Sequence, residues 1–513
     1  MKNRLISMSL ALLMLLSMLC ACAGKKGGNE TTTASDPSVS TTANDTATTT
    51  TVAQTDAGGN TVDGELDENG YLKDSLPADL NFGGQSVTFL AWDGQAYEEF
   101  DVESINGETV NDALYNRNRT AENRLGVKLE VVKTPGGSKD YEAYTTQVNG
   151  DIMSGSSEFD ILSAYSRTTA MCAYQGLTRD LMQTKYFDVE KPWWPQTLVD
   201  ETMFDGKLYF CTGDISRSFF HSLHVCFVNK TLANTHNISI DDLYQTVKDG
   251  KWTLDMMIEM GTGVYEDLDH DGKKSDGDQY GYAASNTQSQ VLIWGADIIA
   301  IETDDNGKMA VSDSFTGERM VNVQEKLFGW FYNTNDAIYG SIGNKAFAEG
   351  RVLFFTNLAD KAMVDFNVDG LLFGILPPPK YDEAQENYRS VQNNAFTLYA
   401  ISNGKVDADL CSAVLECLAS EGYRQLTPAI FETAMKVKYA SDDTTSQMFD
   451  LIRANAVFDN GRIYSGVMND IFTKTYNDAV KANDTAWMST MESKKSEMEA
   501  KVAELNTVFA GLN

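Results

Sequence analysis

The sequence predicts an α/β protein with more than one hydrophobic core, and three features predict it. Apolar runs bounded by turn residues recur between stretches of helical periodicity. The joints between them are short, which pairs neighbouring strands in parallel through crossovers. At 513 residues the chain also exceeds what one core usually supports, so two lobes threaded by one chain are expected.

Taken in order, 86-SVTFLAW-92 reads as a strand. A helix follows from about Val110, with Val110, Ala113, Leu114, Ala121 and Leu125 on one face and Gly126 as its stop. The strand 127-VKLEVV-132, a helix over 141–153 and the strand 159-FDILSA-164 come next. Further strands are expected at 207-KLYFCTG-213 and 224-HVCFVNK-230, then helices over 240–247 and 254–265. Beyond an acidic loop, helices are expected over 288–299 and 319–333, and 304-DDNGKMAVSD-313 fits a hairpin turn. The runs 351-RVLFFTN-357, 372-LFGILPP-378 and 395-AFTLYAIS-402 read as strands. After Val406 the chain reads as helical, with Met491, Met498, Val502, Leu505 and Phe509 forming a stripe suited to core packing.

The first residues carry a different signal. Lys2 and Arg4 precede 8-MSLALLMLLSML-19, the pattern of a signal peptide over 1–21 and too short for an ordinary membrane span. The stretch 19-LCAC-22 resembles the lipobox of bacterial lipoproteins, which makes Cys22 the expected lipidation site and places the chain on the outer face of the cell membrane. Residues 22–80, rich in Thr, Ser, Asp and Gly, read as a disordered tether that cannot bury enough surface to offset ordering entropy. A net charge of -32 excludes nucleic acid as a partner and disfavours an anionic lipid surface, while fitting a secreted protein kept soluble by charge. Cys172, Cys211, Cys226, Cys411 and Cys417 lack metal-ligand spacing, and their odd number argues against a disulfide framework; buried thiols are expected.

One stretch, 267-DLDHDGKKSDGDQYGY-282, looks like a metal loop. Asp267, Asp269, Asp271, Gly272 and Asp278 match positions 1, 3, 5, 6 and 12 of an EF-hand loop, and the Lys273 carbonyl falls at position 7. An oxygen-only donor set suits calcium over zinc or copper. Asp at position 12 has a shorter reach than the usual Glu, and His270 is expected to point outward. An ordinary solvated Asp/Gly turn is the alternative. Catalytic signatures are missing: there is no G-x-S-x-G, H-E-x-x-H or P-loop, and His221, His224, His236 and His270 are not spaced as ligands or triad members. The reading is therefore of a protein that is not an enzyme.

The segments 159-FDILSAYS-166, 175-QGLTRDL-181, 204-FDGKLYFCTG-213, 226-CFVNKTLA-233, 346-AFAEGRVLFFTN-357, 373-FGILPPP-379 and 395-AFTLYAIS-402 together resemble extracellular solute-binding proteins of ABC importers. The likeness is to the sugar-binding, maltodextrin-binding-protein-like family 1, and within it to lipoproteins of Gram-positive bacteria. It implies a periplasmic-binding-protein-like fold, two α/β lobes around a ligand cleft joined by hinge crossovers. Those are expected near 213-GDISRS-218, between 333 and 346, and at the end of 395-AFTLYAIS-402. The expected division is 81–215 with 343–394 as lobe 1, 216–342 with 395–465 as lobe 2, and 466–513 as a C-terminal helical segment. Extra residues at 183-QTKYFDVEKPWWPQ-196 and after Asn460 depart from the compact members; Trp193 and Trp194 there could cap the core or line the cleft rim.

The implied function is capture of a carbohydrate, an oligosaccharide by preference, and its delivery to permease subunits. The metal loop would then be a structural staple. Sugar rings stack their C–H faces on aromatics and bond to Asp, Asn and Arg. On that basis Trp92, Asp93, Tyr165, Ser166, Asp214, Trp294, Asn357 and Asn394, all near strand ends, are the candidate ligand residues. A cell-surface glycan-binding or glycoside-hydrolysing lipoprotein is the alternative, since a pair of catalytic carboxylates could sit anywhere among so many acidic residues.

Overall fold

The structure, a computed structural model, describes residues 54–56, 61–62, 64–94, 99–100, 102–340, 342–436 and 443–512. The signal peptide, Cys22 and most of the tether lie outside these residues. The last part of the tether does not: 64–80 packs on the first lobe, with Leu72 and Leu76 buried. Asp74 there pairs with Arg124 at 2.5 Å and accepts a hydrogen bond from Ser420 at 2.9 Å. A few well-spaced leucines and one ion pair are enough to dock a segment whose average composition reads as disordered.

Two sheets form the centres of two layers of helix-packed structure. The first runs in the order Thr397–Ile401, Ile161–Tyr165, Gln85–Trp92, Val127–Thr134, parallel except for the antiparallel edge strand Thr397–Ile401. The second runs Ala337–Tyr339, Tyr280–Ala284, Val352–Leu358, His224–Asn229, Phe373–Leu376, with the last two pairings antiparallel. Helix Thr109–Leu125 flanks the first sheet as expected. The Glu108 carboxylate accepts from the amides of Val110 and Asn111 at its start, and Gly126 closes it at a φ of 59°. Helix Trp487–Gly511 buries Met491, Met498, Val502, Leu505 and Phe509, so the stripe is core packing. The five cysteines expected as free thiols are free and buried.

The division into lobes differs from the expected one. Val352–Leu358 and Phe373–Leu376 belong to the second sheet, so 343–394 is not part of lobe 1. Thr397–Ile401 belongs to the first, pairing with Ile161–Tyr165, so 395–465 does not lie wholly in lobe 2. Among the described residues the chain crosses between the two sheets at 212–223 and 377–396, and 455–460 is a third joining segment whose Ala456–Val457 pairs with Ser390–Val391; the segment 333–346 stays within the second lobe as a strand and a short helix. Residues 207–213 form no ladder, only the isolated bridges of Lys207 to Phe204 and Cys211 to Tyr399. The strand Tyr280–Ala284, unread from the sequence, contains Gly281, where a Cβ would stand 2.2 Å from the Gly261 carbonyl oxygen. Only glycine lets the neighbouring helix approach so closely. The hairpin at 301–311 forms as expected.

The excursion at 183–196 is anchored by two buried tryptophans. Their indole N–H groups donate to the two oxygens of Glu416, each at 3.1 Å, and the Asp188 amide adds a third bond at 3.3 Å. Burial pushes the Glu416 carboxyl up to about 8 against these donors. A carboxyl with a raised folded pKa contributes stability that is complete below its unfolded value and is lost as pH rises towards 8. Chemical denaturation at pH 5 and pH 8 should therefore show a stability decline that Glu416→Gln reduces; an equal decline in both proteins would refute the assignment.

Candidate functional site

In open α/β sheets ligands meet the C-terminal ends of parallel strands. In the first sheet those ends are Trp92 and Tyr165, with Thr397 of the antiparallel edge strand paired to Tyr165. Trp92 and Tyr165 meet edge to face with centroids 5.6 Å apart, and the Trp92 indole N–H donates to Thr397 Oγ1 at 3.2 Å. Tyr165 is only half-buried. Burial raises its phenol pKa, while the charges of Arg167 and Arg462 work against the rise. Ser166 opens the helix Ser166–Tyr174 and donates to the Asn394 carbonyl at 2.7 Å.

From Asn394, on the second crossing, the network passes to the short helix Asn460–Ile463. Asn394 Nδ2 donates to the Arg462 carbonyl at 3.3 Å. The Arg462 guanidinium lies over the Trp294 ring at 4.3 Å, and its Nη1 reaches Gln290 Oε1 at 3.5 Å. The Trp294 indole N–H donates to Asp459 Oδ2 at 3.0 Å. Arg167 beside Tyr165 pairs with Asp470 at 3.1 Å. Burial lowers the Arg462 pKa, and Asp459 offsets this by Coulomb attraction. The buried charge is thus balanced by its neighbours.

The second sheet carries a polar group of its own near the end of Val352–Leu358. Asn357 Nδ2 donates to Asn344 Oδ1 at 2.7 Å, and Asn357 Oδ1 accepts from the Leu358 amide. Tyr282 OH and Thr356 Oγ1 are 2.8 Å apart, and both reach the Gln288 carbonyl. Tyr339 donates to Asn286. Tyr282 and Thr356 are fully buried, so their bonds fix the sheet and the helix Asn286–Gly295 against each other.

Of the residues foreseen, Trp92, Tyr165, Ser166, Asn394 and Trp294 are joined in one network, and Asn357 stands apart in the second sheet, bonded to Asn344. Asp93 is exposed at the end of its strand, its amide donating to the Thr134 carbonyl. Trp294 is less available than expected: it is 6% exposed and Arg462 covers one face. Asp214 does not join the network at all. It is buried, bonded to Arg453 Nη2 at 2.6 Å and to Thr427 Oγ1 at 3.0 Å, with burial raising its pKa. Arg462, Arg167, Asp459 and Gln290 were missed. The one local hint is 459-DNG-461, a helix-start turn in which Asp459 caps the amide of Gly461.

The acidic loop brings together carboxylate oxygens of Asp267, Asp269 and Asp271, all within 4.8 Å of one another. Asp267 Oδ2 accepts from the Gly272 amide at 2.8 Å, and such backbone bonds lower its pKa. Its Oδ1 is buried without a protein partner. Asp278 stands outside that trio and closes the loop instead, accepting from the amides of Leu268 at 3.1 Å and Ser275 at 2.8 Å. The Lys273 carbonyl accepts from Tyr265 OH at 3.5 Å, and His270 is exposed at a φ of 58°.

No protein-family model and no curated protein matches the chain. Solved structures do. The cyclic alpha-maltosyl-1,6-maltose binding protein from Arthrobacter globiformis aligns with a TM-score of 0.51 at 15% identity, over 83% of this chain and 99% of that one. UspC of M. tuberculosis aligns with a TM-score of 0.52 at 14% identity, over 81% and 100%. These likenesses establish the fold class: two α/β lobes of the periplasmic-binding-protein type.

The network makes Arg462 a keystone that a positive charge alone cannot replace, because the planar guanidinium stacks where an ammonium does not. Arg462→Ala should cost about 2–5 kcal/mol in denaturant unfolding, since it removes the cation over Trp294 and leaves the buried Asp459 with N–H donors alone. Arg462→Lys should recover only part of that loss; full recovery would show that stacking on Trp294 contributes nothing.

Proposed function

We propose that this chain is an extracellular solute-binding protein that captures a carbohydrate by closing its two lobes and passes it to the permease subunits of an ABC importer. The observation that carries this is the half-buried aromatic pair, Trp92 with Tyr165, at the C-terminal ends of parallel strands in the first sheet, where open α/β sheets take their ligands. Closure is favourable only when a solute fills the gap between the lobes. The sugar-binding relative from Arthrobacter supports the same reading. Ligand residues in this reading are Trp92, Asp93, Tyr165, Ser166, Asn357 and Asn394, with Arg462 behind Trp294 setting the wall. A carbohydrate panel screened by thermal shift should yield a ligand, because a solute that binds only the folded chain raises its melting temperature. Tyr165→Ala should then weaken that ligand by about 2 kcal/mol, roughly thirtyfold, in calorimetry. Conversion of the sugar to product would overturn the reading in favour of a hydrolase.

The anchor belongs to the same proposal. Two acyl chains on Cys22 would hold the protein at the outer face of the membrane where one would bind only marginally. Cys22→Ser is expected to move the protein from the membrane fraction to the medium; an unchanged distribution would contradict lipidation.

We further propose that the loop of Asp267, Asp269 and Asp271 takes calcium as a structural staple. The oxygen-only donors, their mutual approach and the partnerless Asp267 Oδ1 support it. Calcium would offset two of the three clustered carboxylate charges and fix the loop ahead of the strand Tyr280–Ala284. Chelation should lower the melting temperature, calcium should restore it, and sugar affinity well below melting should stay unchanged. A melting temperature indifferent to both treatments would make the loop an ordinary acidic turn.

A further inference from the structure

We propose that the cavity bounded by Trp193 and Trp194 is a second binding site, for a small organic cation with an apolar body. It measures about 360 Å³, within the usual range for small-molecule sites, and its wall includes Asp214, Phe219, Asp450 and Arg453. None of these residues belongs to the network of Tyr165 and Arg462, so this is a separate site.

Its chemistry follows from charge and rings. Asp214 is 1% exposed and bonded to Arg453 at 2.6 Å, so those two charges cancel at the wall. Asp450 at the mouth is left as the excess carboxylate. Lys191 comes within 5.9 Å of the Trp193 ring, but Asp188 pairs with it at 3.7 Å. An anion would thus meet net negative charge, while a cation finds the Asp450 carboxylate and its body the apolar lining beside Pro192 and Pro195. The rings are held in advance, because Glu416 fixes both indole N–H groups. Fixing the wall before binding reduces the entropy lost on binding.

The site also lies where the lobes join. Asp214 stands on the first crossover, and Arg453 ends the helix Asp443–Ala454 that leads into the third joining segment. Thr197, also on the wall, donates to the Ala456 carbonyl on that segment at 2.6 Å. An occupant would therefore touch two of the segments that connect the lobes.

The test uses the full chain and three probes of one shape: cyclohexylammonium, cyclohexanol and cyclohexanecarboxylate. None is a sugar, so failure of the carbohydrate reading leaves this test intact. Calorimetry at low ionic strength, with tryptophan fluorescence as a second readout, should show the cation binding at least about tenfold tighter than the alcohol and the carboxylate not at all. Asp214→Asn breaks a buried pair and risks the fold, so the informative variant is Asp450→Asn at the exposed mouth. It should weaken the cation about fivefold or more, and Tyr165→Ala should leave it unchanged. Equal binding of the three probes, no binding by any, indifference to Asp450→Asn, or loss in Tyr165→Ala would each overturn the proposal.

Discussion

Two separate sheets can move relative to one another only as far as the segments joining them permit, and here those segments are pinned by buried polar groups. The first crossover is held by Glu99, which accepts from Ser216 Oγ at 2.8 Å and the Ser218 amide at 3.0 Å, while Arg117 Nη1 donates to the Ile215 carbonyl at 2.5 Å. The second lies against His224, whose Nδ1 is 2.9 Å from the Val391 carbonyl, and Gln392 Nε2 donates to the Phe219 carbonyl at 2.8 Å. The third is tied to both lobes: Asp459 accepts from Trp294 Nε1 and the Ala300 amide, and Glu201 accepts from the Phe458 amide. Bending is thus confined to a few backbone positions flanked by fixed anchors, which is the anatomy of a hinge.

These anchors also explain where the acidic chain tolerates buried charge. Glu99, Glu201 and Asp214 all have pKa values raised by burial, so each is stabilised only by the donors around it. Removing a donor would expose a desolvation cost that the remaining bonds could not offset. His221 and His224 are pushed down to about 3 by burial and so stay neutral near physiological pH. The two histidines therefore keep one protonation state through the neutral range.

Much of the fold was legible because local patterns were strong. The helix stop at Gly126, the strand end at Trp92, the strand end at Tyr165 to within one residue, and the stripe from Met491 to Phe509 were each legible from local pattern. Lobe membership was not legible. Val352–Leu358 and Thr397–Ile401 are both nearly continuous buried strands, and such strands carry no alternation that marks which sheet they enter. The candidate site was half legible for a related reason. Aromatics and amides at strand ends stand out locally, whereas Arg462 acquires its meaning from Trp294 and Gln290, far away in the chain. Asp214 misled in the same way: a turn aspartate by sequence, it is claimed by Arg453, 239 residues on.

The central claim is that a solute draws the two lobes together about these crossovers, and small-angle X-ray scattering tests it most directly. With a saturating sugar identified by the panel, the radius of gyration of the wild-type chain should fall, and Tyr165→Ala at the same sugar concentration should keep the larger value. A saturated wild-type complex with an unchanged radius would contradict the account.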